Sequence, residues 1–248
     1  MNEKRCGKPF RKRCTMALKD ELIKNVDEII AARWQERDGR VVPESKDVAF
    51  LGSAVKLEAT FLYADLADST SLARQVRQIA AEVFQCFLST ASRIIKAEGG
   101  EIRSFDGDRV MAVFMGNHKN TVAARCALKI NWAFSKIVKP KILDAYGPKL
   151  SNYTLSYGSG LDVGEVWAIR GGVRNDSDLV WVGRAPNLGA KLSGIRDGYA
   201  THITKAVYDA LNDSSKLGGD PRRSMWEQTR WSDQDNMIIF RSDWIWEP

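Results

Sequence analysis

The sequence contains few cysteines and histidines and no long apolar run. Its four cysteines among 248 residues form no Cys-x-x-Cys pair and no disulfide-rich pattern, which favours a reducing compartment and predicts a cytoplasmic protein. The two histidines, His118 and His202, stand alone, so we expect surface or structural roles for both and no zinc site. No apolar run approaches the roughly 18 residues that a membrane helix needs, and the first residues lack the apolar stretch of a secretory signal.

Positive charge is concentrated at the N-terminus. The chain carries a net charge of +6, and residues 1–14 hold six basic side chains against the single acid Glu3: Lys4, Arg5, Lys8, Arg11, Lys12 and Arg13. Such a run can contact nucleic acid or an anionic membrane, but a solvated end is the more common interpretation. We therefore expect no stable nucleic-acid partner and no membrane span.

The apolar pattern divides the chain into three parts: a basic tail, helix and linker at 1–54, a main domain at 55–212, and a Trp-rich C-terminal extension at 213–248 that packs on that domain. The first helix, closed by Asp38-Gly39, is predicted from a stripe at spacings of three and four: Leu18, Leu22, Val26, Ile29 and Ile30. This stripe requires a partner surface, which is either the main domain or a second copy of the chain.

The main domain alternates strands and helices. Short apolar runs predict strands at 56–66, as a pair within 101–114, at 153–163, at 165–169 and at 178–182. Helical periodicity predicts helices at 72–95, 122–137, 186–192 and 204–211. Hairpin turns are expected at Asp106-Gly107 and at Gly164, and Pro140 is expected to stop the second of these helices. The order predicts an α+β fold with helices covering one sheet.

The segment Phe61-Leu-Tyr-Ala-Asp65 is the first candidate for chemistry. It is an apolar strand that ends at Asp65, and three good helix caps follow it: Asp68, Ser69 and Thr70. A strand–turn–helix unit aims free backbone N–H groups at one point, which is a seat for phosphate. A carboxylate beside such a seat indicates a divalent cation between them, whereas the simpler interpretation is an ordinary capped helix.

A second carboxylate, Asp108, follows the predicted hairpin turn. The hairpin returns Asp108 towards the end of the first strand, where Asp65 lies. Two carboxylates that converge beside a phosphate seat are the minimal parts of a site for two divalent cations. The alternative for Asp108, a turn residue after Gly107, explains less of the joint spacing.

Three motifs in this order resemble those of the class III nucleotidyl cyclases: Phe61-x-x-x-Asp65, Gly99-Gly100 followed by Gly107-Asp108, and Val182-Gly-x-x-x-Asn187-x-x-x-Lys191. The resemblance covers about residues 57–212. It implies a ferredoxin-like βαββαβ core, here with an N-terminal helical extension and a C-terminal strand-rich tail. It also implies a nucleoside triphosphate substrate and a head-to-tail homodimer with composite active sites.

The resemblance assigns roles to residues of this sequence. Asp65 and Asp108 would bind two Mg²⁺ or Mn²⁺ ions, and the Leu66 carbonyl would add a ligand. The triphosphate would be held by the backbone that follows the first strand: Leu66, Ala67, Asp68, Ser69 and Thr70.

Two further residues would come from the other subunit. Asn187 would orient the ribose, and Lys191 stands where the family usually has an arginine. Lysine supplies positive charge at the α-phosphoryl group but no bidentate fork.

Ser104 and Val180 occupy the positions that read the base in this family. Adenylyl cyclases usually carry a lysine at the first position and an aspartate or threonine at the second, and guanylyl cyclases carry glutamate and cysteine. Ser104 is too short to replace lysine, and Val180 cannot hydrogen-bond, so both purine-reading pairs are missing. Phe61 and Trp181 are candidate walls for a base, with sheet packing as the alternative.

The segment Tyr63-Ala-Asp-Leu-Ala-Asp-Ser-Thr70 and the preceding Arg40-Val-Val-Pro resemble the pyrimidine cyclases of bacterial Pycsar anti-phage systems. This resemblance implies synthesis of cyclic UMP from UTP, with CTP as the second substrate, as an alarm signal that a separate cyclic-nucleotide-responsive effector protein reads. Two alternatives stay open: an adenylyl cyclase with an atypical base pocket, and a catalytically inactive cyclase-like module for nucleotide binding or dimerisation. The paired carboxylates argue against the inactive module.

Four of the eight tryptophans lie near the C-terminus: Trp226, Trp231, Trp244 and Trp246. A strand is predicted at 237–241. We expect these aromatic residues to pack a final strand or hairpin onto the domain. Stacking of nucleobases between aromatic and arginine side chains is the alternative.

Overall fold

The computed structural model describes residues 17–150 and 152–248. The basic segment 1–14, with Cys6 and Cys14, lies outside the described residues. The helices are α1 (Leu18–Ala31), α2 (Ser69–Gln75), α3 (Arg77–Ala97), α4 (Lys119–Ala133), α5 (Lys139–Tyr146), α6 (Arg184–Ser193), α7 (Lys205–Asp209) and α8 (Asp213–Lys216). In the described part of the chain, no helix is long and apolar enough to cross a membrane.

The strands are β1 (Gln35–Asp38), β2 (Ser53–Leu66), β3 (Glu101–Asp106), β4 (Arg109–Phe114), β5 (Tyr157–Val173), β6 (Asp176–Val182), β7 (Thr201–Thr204), β8 (Leu217–Gly218), β9 (Arg223–Ser224), β10 (Glu227–Trp231) and β11 (Met237–Ser242). Nine of them form one sheet, whose main path is β10-β11-β7-β5-β2-β4-β3, while β1 pairs with β2 and β6 with β5. The four strands β5-β2-β4-β3 are antiparallel neighbours, and α3 and α4 connect them. This is the ferredoxin-like βαββαβ core, which confirms the predicted α+β fold class.

The alternation of side chains along β2 assigns them to two faces of the sheet. Leu62 and Leu66 are buried against α3 and α4 in the larger core. Phe61 lies in a second, smaller core that α6, β6 and the segment around residue 48 cover. Because successive residues of a strand point to opposite faces, Tyr63 and Asp65 share the face of Phe61.

The N-terminal helix differs from its prediction at both its end and its surroundings. α1 stops at Ala31 rather than at Asp38-Gly39, because residues 35–38 instead form β1 and pair in parallel with the start of β2. Gly39 then lies so close to the sheet that a Cβ would stand 2.3 Å from Leu57 Cδ2. No residue of α1 is buried, so the described part of the same chain does not supply the partner surface that its apolar stripe requires.

The predicted long helix after β2 is divided into α2 and α3 at Val76, whose backbone leaves the helical region (φ −145°, ψ 76°). Leu72 and Ile79, seven residues apart, are nevertheless buried in the same core. The apolar spacing continues across the break, which is why periodicity alone predicts one helix. Cys86 of α3 is exposed.

Pro140 does not end the helical path. A five-residue π-helical turn, Phe134–Val138, joins α4 to α5, and Pro140 is the second residue of α5. The Lys139 N–H donates to the Phe134 carbonyl five residues earlier, so the wider π-helical turn before Pro140 lets the helical path continue past a residue that has no N–H to donate. The prediction of a stop at this position is therefore wrong.

The hairpin predicted at Gly164 is also wrong. Gly164 lies inside the continuous strand β5, opposite Ala59 of β2. The chain turns ten residues later, between β5 and β6, where Asn175 has a positive φ of 74°. Asparagine tolerates this left-handed conformation, and the long ladder to β2 holds Gly164 extended.

The C-terminal residues add two strands to the sheet, since β11 pairs with β7 and β10 with β11. Trp226 and Trp231 are buried, and Trp244 and Trp246 pack half-buried against the larger core. The indole N–H of Trp226 donates to the Ser215 carbonyl at 2.7 Å. These contacts are those of packing residues.

Candidate active site

Asp65 lies at the end of β2, between Arg109 of β4 and Gly158 of β5 in the sheet register. A Cβ on Gly158 would stand 2.6 Å from Arg196 Nη1, so the glycine leaves room for that guanidinium. Arg196 Nη2 consequently reaches Asp65 Oδ2 at 3.4 Å. The sheet thus ends in a carboxylate that is partly buried and contacted by one arginine of the same chain.

Asp108 is delivered by the two-residue loop between β3 and β4. The loop is Gly107-Asp108, one residue later than predicted, because Asp106 pairs with Arg109 and remains in the strand. Gly107 has a positive φ of 62°, which explains the glycine. Asp108 Oδ2 is buried and has no hydrogen-bond partner among the described residues.

Asp108 disfavours the charged form of Asp65. Burial raises the pKa of Asp65 above its usual 3.8, and the neighbouring Asp108 raises it further, while Arg196 and Arg109 act in the opposite direction. At Asp65, burial and the second carboxylate together outweigh the two arginines.

The residues present fit divalent cations. A buried carboxylate oxygen without a partner and a second carboxylate with one long contact are hard oxygen donors of the kind that Mg²⁺ and Mn²⁺ take. Among the described residues, no group of three or more His, Cys, Asp or Glu side chains is arranged to hold a metal ion by itself. Mg²⁺ commonly binds one or two carboxylates and completes its shell with substrate phosphates, so two carboxylates suffice.

In the turn after β2, fewer backbone N–H groups are free to bind phosphate than expected. The Ala67 N–H donates to the Ser156 carbonyl at 2.9 Å, and the Ala67 carbonyl accepts from the Tyr153 hydroxyl. Ala67 therefore has no free N–H for a phosphate, because its donor already belongs to the sheet end. Asp68 has a positive φ of 50°, and α2 begins at Ser69.

The backbone donors that remain at this turn are those of Asp68, Ser69 and Thr70, since the first N–H groups of a helix have no intrahelical acceptor. The Tyr153 hydroxyl fixes this turn through its hydrogen bond to the Ala67 carbonyl. Burial, with Asp108 and Asp68 nearby, raises the pKa of Tyr153 to about 12, so its hydroxyl stays protonated and donates.

Tyr63 and Arg109 extend the site along the same face. The Arg109 guanidinium lies 5.7 Å from the centre of the Tyr63 ring, and its Nη2 pairs with Asp106 Oδ2 at 2.7 Å. Sequence reasoning did not single out either residue. The available signal was their position: Tyr63 precedes Asp65 by two residues, and Arg109 is the cross-strand neighbour of Asp65.

The base-reading positions lie on two edges of the domain. Ser104 is exposed on β3 beside a register shift, and Val180 is exposed on β6. Trp181 packs edge-on against Phe61, with ring centres 5.4 Å apart. Phe61 is completely buried, so within one chain its ring offers no surface to a base and packs the sheet.

Asn187 and Lys191 lie one turn apart on the outer face of α6. Asn187 Nδ2 donates to the Gly183 carbonyl at 3.2 Å, and Lys191 Nζ approaches Gln234 Oε1 at 3.4 Å. α6 packs on β2 through Gly189, where a Cβ would be 3.1 Å from the Tyr63 ring. Within the described residues, Asn187 and Lys191 make no hydrogen bond or ion pair to either aspartate.

Lys191 borders a cleft of about 610 Å³ with Arg196, Arg230 and Arg241. Asp197 and Asp233 are the acids of its wall, so the cleft is net positive and suited to polyanions. Arg196 is the residue that joins this cleft to Asp65. No sequence signal identified Arg196 or Tyr153, because their contacts join segments about 86 to 131 residues apart.

His202 is buried and its Nε2 lies 2.9 Å from Asp197 Oδ1, and the other oxygen of Asp197, Oδ2, pairs with Arg241 at 2.8 Å. Burial lowers the pKa of His202, so the ring is neutral near pH 7. It holds the segment before β7 and is not part of the carboxylate pair.

No family model matches the sequence. A uridylate cyclase of Rhodovulum sp. (strain MB263) is 39% identical over 237 residues, which cover 94% of this chain and 99% of the relative. A uridylate cyclase of Xanthomonas perforans is 40% identical over 93% of this chain and 99% of the relative.

Solved structures of purine cyclases share the fold. The guanylyl cyclase Cya2 aligns with a TM-score of 0.63 at 19% identity, over 79% of this chain and 96% of that one. The adenylyl cyclase CyaB from P. aeruginosa aligns with a TM-score of 0.61 at 18% identity, over 76% and 95%. The fold and the near-complete match to relatives of 39% and 40% identity confirm the resemblance seen in the motifs: the chain belongs to the uridylate cyclase family of class III nucleotidyl cyclases.

Proposed function

We propose that the chain converts UTP, and CTP less well, to the 3′,5′-cyclic nucleotide and pyrophosphate at sites shared between two copies. The observation that carries this proposal is the Asp65–Asp108 pair beside the first turn of α2, with a buried oxygen that lacks a partner. Its occurrence in a chain 39% identical to a uridylate cyclase supports the pyrimidine substrate.

The reaction forms one bond and breaks another at the α-phosphorus. The ribose 3′-oxygen attacks, its proton passes to solvent, and the bond to the β-phosphate oxygen breaks so that pyrophosphate leaves. Two Mg²⁺ or Mn²⁺ ions on Asp65, Asp108 and the Leu66 carbonyl would supply Lewis acidity and activate the attacking oxygen.

The chain's own groups bind and orient the triphosphate. The N–H groups of Asp68, Ser69 and Thr70 would contact its oxygens, because they have no helical acceptor. Lys191 would place a positive charge at the α-phosphoryl oxygens, where negative charge grows in the transition state. The positive cleft beside Lys191 supports that assignment.

Base selection would follow from what the pocket lacks. Ser104 and Val180 are exposed at the positions that read purines in similar enzymes; Ser104 is too short to replace the usual lysine, and Val180 cannot hydrogen-bond. Trp181 is half-buried and offers a ring face or edge as a wall.

The active site would be composite. Asn187 and Lys191 lie on the exposed face of α6 and make no described contact with the carboxylates of their own chain. A head-to-tail homodimer would bring these residues to the Asp65 and Asp108 of the other subunit.

The product would serve as an alarm signal in anti-phage defence, read by a separate effector protein in the cytoplasm. The resemblance of the 63–70 segment and of Arg40-Val-Val-Pro to Pycsar cyclases supports this role.

The first experiment compares kcat/KM for UTP, CTP, ATP and GTP with Mn²⁺. We expect UTP to be best, CTP second, and both purines weaker by about 100-fold, which corresponds to about 2.7 kcal/mol in the transition state. ATP or GTP turnover equal to that of both pyrimidines would overturn the proposed base selection.

The second experiment tests the shared site. Asp65→Ala and Lys191→Ala should each be inactive alone, while their mixture should regain about a quarter of wild-type activity through hybrid dimers with one intact site. The matched control is Asp65→Ala mixed with Asp108→Ala, which places both defects in the same half-site and should stay inactive. Free subunit exchange without recovery in the first mixture would contradict a composite site.

A further inference from the structure

A cavity of about 340 Å³ opens beside Arg196, between the end of α4, the start of β5 and the segment 195–200. Phe134 and Ile195 supply apolar wall. Neither Asp65, Asp108 nor the turn at 66–70 borders it, so it is distinct from the carboxylate pair, although it shares Ile195 and Arg196 with the cleft beside Lys191. Its volume lies within the range of about 300–1,000 Å³ typical of small-molecule sites.

Tyr157 borders this cavity with a hydroxyl that lacks a partner. The residue is only 5% exposed, and its hydroxyl is buried without a hydrogen bond to any described residue. Its ring packs on Phe134 at 4.7 Å between centres and on Phe87 at 5.5 Å, which fixes its orientation. The neighbouring Ser159 hydroxyl contacts Ala200 and Thr201.

Burial raises the pKa of Tyr157 far above its ordinary value, so the hydroxyl remains an O–H donor. Buried polar groups in native proteins nearly always have a partner. The neighbouring Ser159 hydroxyl opposes this rise in pKa, but it makes its hydrogen bonds to Ala200 and Thr201 and none to Tyr157, so the cavity wall contains a donor that the chain pairs at most weakly.

The charges of the cavity wall favour an anionic acceptor. Lys139 and Arg196 face one acid, Asp243. Asp243 Oδ1 already accepts the Ala200 N–H at 2.9 Å, whereas Lys139 has no ion pair or hydrogen bond within residues 17–150 and 152–248. Two cations and a buried hydroxyl donor match the oxygens of a phosphate or carboxylate.

The cavity also lies at an irregular backbone. The π-helical turn Phe134–Val138 separates α4 from α5 and supplies part of the rim. Single π-helical turns are rare and frequently mark functional sites. The turn places Phe134 and Lys139 on the same cavity although they belong to different helical segments.

Arg196 connects the cavity to the carboxylate pair. Its Nη1 donates to the Ser193 and Ile195 carbonyls at 2.5 and 3.0 Å, and its Nη2 reaches Asp65 Oδ2 at 3.4 Å. The contact with Asp65 is long and its side chains are 34% and 24% exposed, so it is weak and open to competition. An anion in the cavity would attract the same guanidinium.

We infer that this cavity binds a small organic anion, a phosphate or carboxylate attached to an apolar group, and that its binding draws Arg196 from Asp65. The anionic group pairs with Lys139 and accepts from Tyr157, and the apolar part packs on Phe134 and Ile195. Release of Asp65 increases the affinity of the carboxylate pair for divalent cations. The binding step is independent of the proposed function, whereas the coupling step rests on its assignment of Asp65 as a metal ligand.

Binding is tested on the full metal-free chain by calorimetry and by thermal unfolding. The probes are phenyl phosphate, benzoate and inorganic phosphate, with sodium chloride at matched ionic strength. Phenyl phosphate or benzoate should bind and raise the unfolding temperature, and the tighter of the two identifies the acid group. Inorganic phosphate that binds as tightly as phenyl phosphate would overturn the apolar part of the inference.

Three variants locate the site. Lys139→Gln should weaken binding by about tenfold or more, because it removes a charge-assisted bond. Tyr157→Phe should keep or raise the unfolding temperature without ligand, since it removes an unpaired hydroxyl, and should also weaken binding. Lys136→Gln, three residues before Lys139 and outside the cavity wall, is the matched control.

Two results would overturn the site. One is the absence of binding up to about 10 mM, an affinity too weak for a specific ligand. The other is equal weakening by Lys136→Gln and Lys139→Gln, which would indicate general attraction to a basic surface.

Coupling is measured as Mn²⁺ affinity by electron paramagnetic resonance, with and without phenyl phosphate and corrected for Mn²⁺ bound by the probe itself. We expect affinity to rise about tenfold in the wild type and to stay constant in Lys139→Gln. Unchanged Mn²⁺ affinity in a chain that binds the probe would overturn the coupling. If the chain cyclises UTP but binds no anion, this inference fails alone; if it binds the anion but cyclises nothing, the proposed function fails alone.

Discussion

Two regions of the molecule treat buried negative charge in opposite ways. At the end of α3, Glu98 accepts from Arg125 Nε at 2.7 Å and from Lys129 Nζ at 2.8 Å. At the end of β2, Asp65 faces a second carboxylate, Asp108, and one arginine contact at 3.4 Å. Both regions join elements that are distant in sequence, but only the first is neutralised by its own chain.

The two pKa directions follow from this difference. Burial alone would raise the pKa of Glu98, but Lys129 and Arg125 bring it below its usual 4.5. Burial and Asp108 together keep the pKa of Asp65 above its usual 3.8 despite Arg196. The Glu98 cluster therefore stabilises the packing of α3 on α4, whereas Asp65 keeps a like-charged neighbour, as the proposed cation site requires.

The largest expected effect is that of Asp65→Asn. Activity should fall on the order of 10³-fold or more, because a charged ligand of the reacting centre is lost. The unfolding temperature of the metal-free protein should stay equal or rise, because a like-charge neighbour of Asp108 is removed. The measurements are kcat/KM with UTP and a thermal melt, with the exposed Asp144→Asn as control. A folded Asp65→Asn variant with normal turnover would contradict the assignment of Asp65 as a metal ligand.

The Glu98→Gln change should lower stability and leave activity unchanged, the reverse of Asp65→Asn. Removal of the shared acid leaves Lys129 and Arg125 facing each other, and we expect a loss of about 2 kcal/mol, discounted for the partial exposure of Arg125. For a chain of this length that lowers the unfolding temperature by about 4–8 °C. Activity per folded molecule should be unchanged.

The control for Glu98 is Glu101→Gln, whose exposed pair with Lys96 at 3.3 Å should contribute under about 1 kcal/mol. Equal destabilisation by both variants would show that burial of the Glu98 cluster does not matter.

Stabilisation by Mn²⁺ should depend on Asp65 and not on Glu98. At ten times its dissociation constant it should stabilise the wild type by about 1.4 kcal/mol. Glu98→Gln should gain the same amount from its lower starting point, and Asp65→Asn should gain almost none. Thermal melts over a Mn²⁺ titration measure this, and full stabilisation of Asp65→Asn would mean that the cation binds elsewhere.

The smallest effect is the pH dependence of unfolding in the metal-free chain. Glu98 has a lowered pKa, so its stabilisation is present above about 4.5 and is lost as the pH falls through its folded value. Asp65 has a raised pKa, so the advantage of Asp65→Asn exists at neutral pH and vanishes as the pH falls to about 3.8. Denaturant titrations from pH 7 to pH 3.5 should show both differences in the free energy of unfolding shrinking towards zero. The difference starts negative for Glu98→Gln and positive for Asp65→Asn.

Local patterns in the sequence predicted the parts of the site that short segments build. The apolar run that ends at Asp65, the glycine turn that presents Asp108 and the helical spacing of Asn187 and Lys191 all depend on backbone preferences of nearby residues. For that reason the structure contains the predicted strand end, turn and helix, with the turn displaced by one residue to Gly107-Asp108.

The tertiary structure alone decided which distant groups surround those parts. Sheet register placed Gly158 opposite Asp65 and so admitted Arg196, aligned Gly164 inside a strand instead of at a turn, and buried Phe61 beneath Trp181. These contacts depend on how segments far apart in the chain pack against each other, and no local spacing encodes that arrangement. The sequence determined which carboxylates could meet, and packing determined how much opposing charge was left beside them.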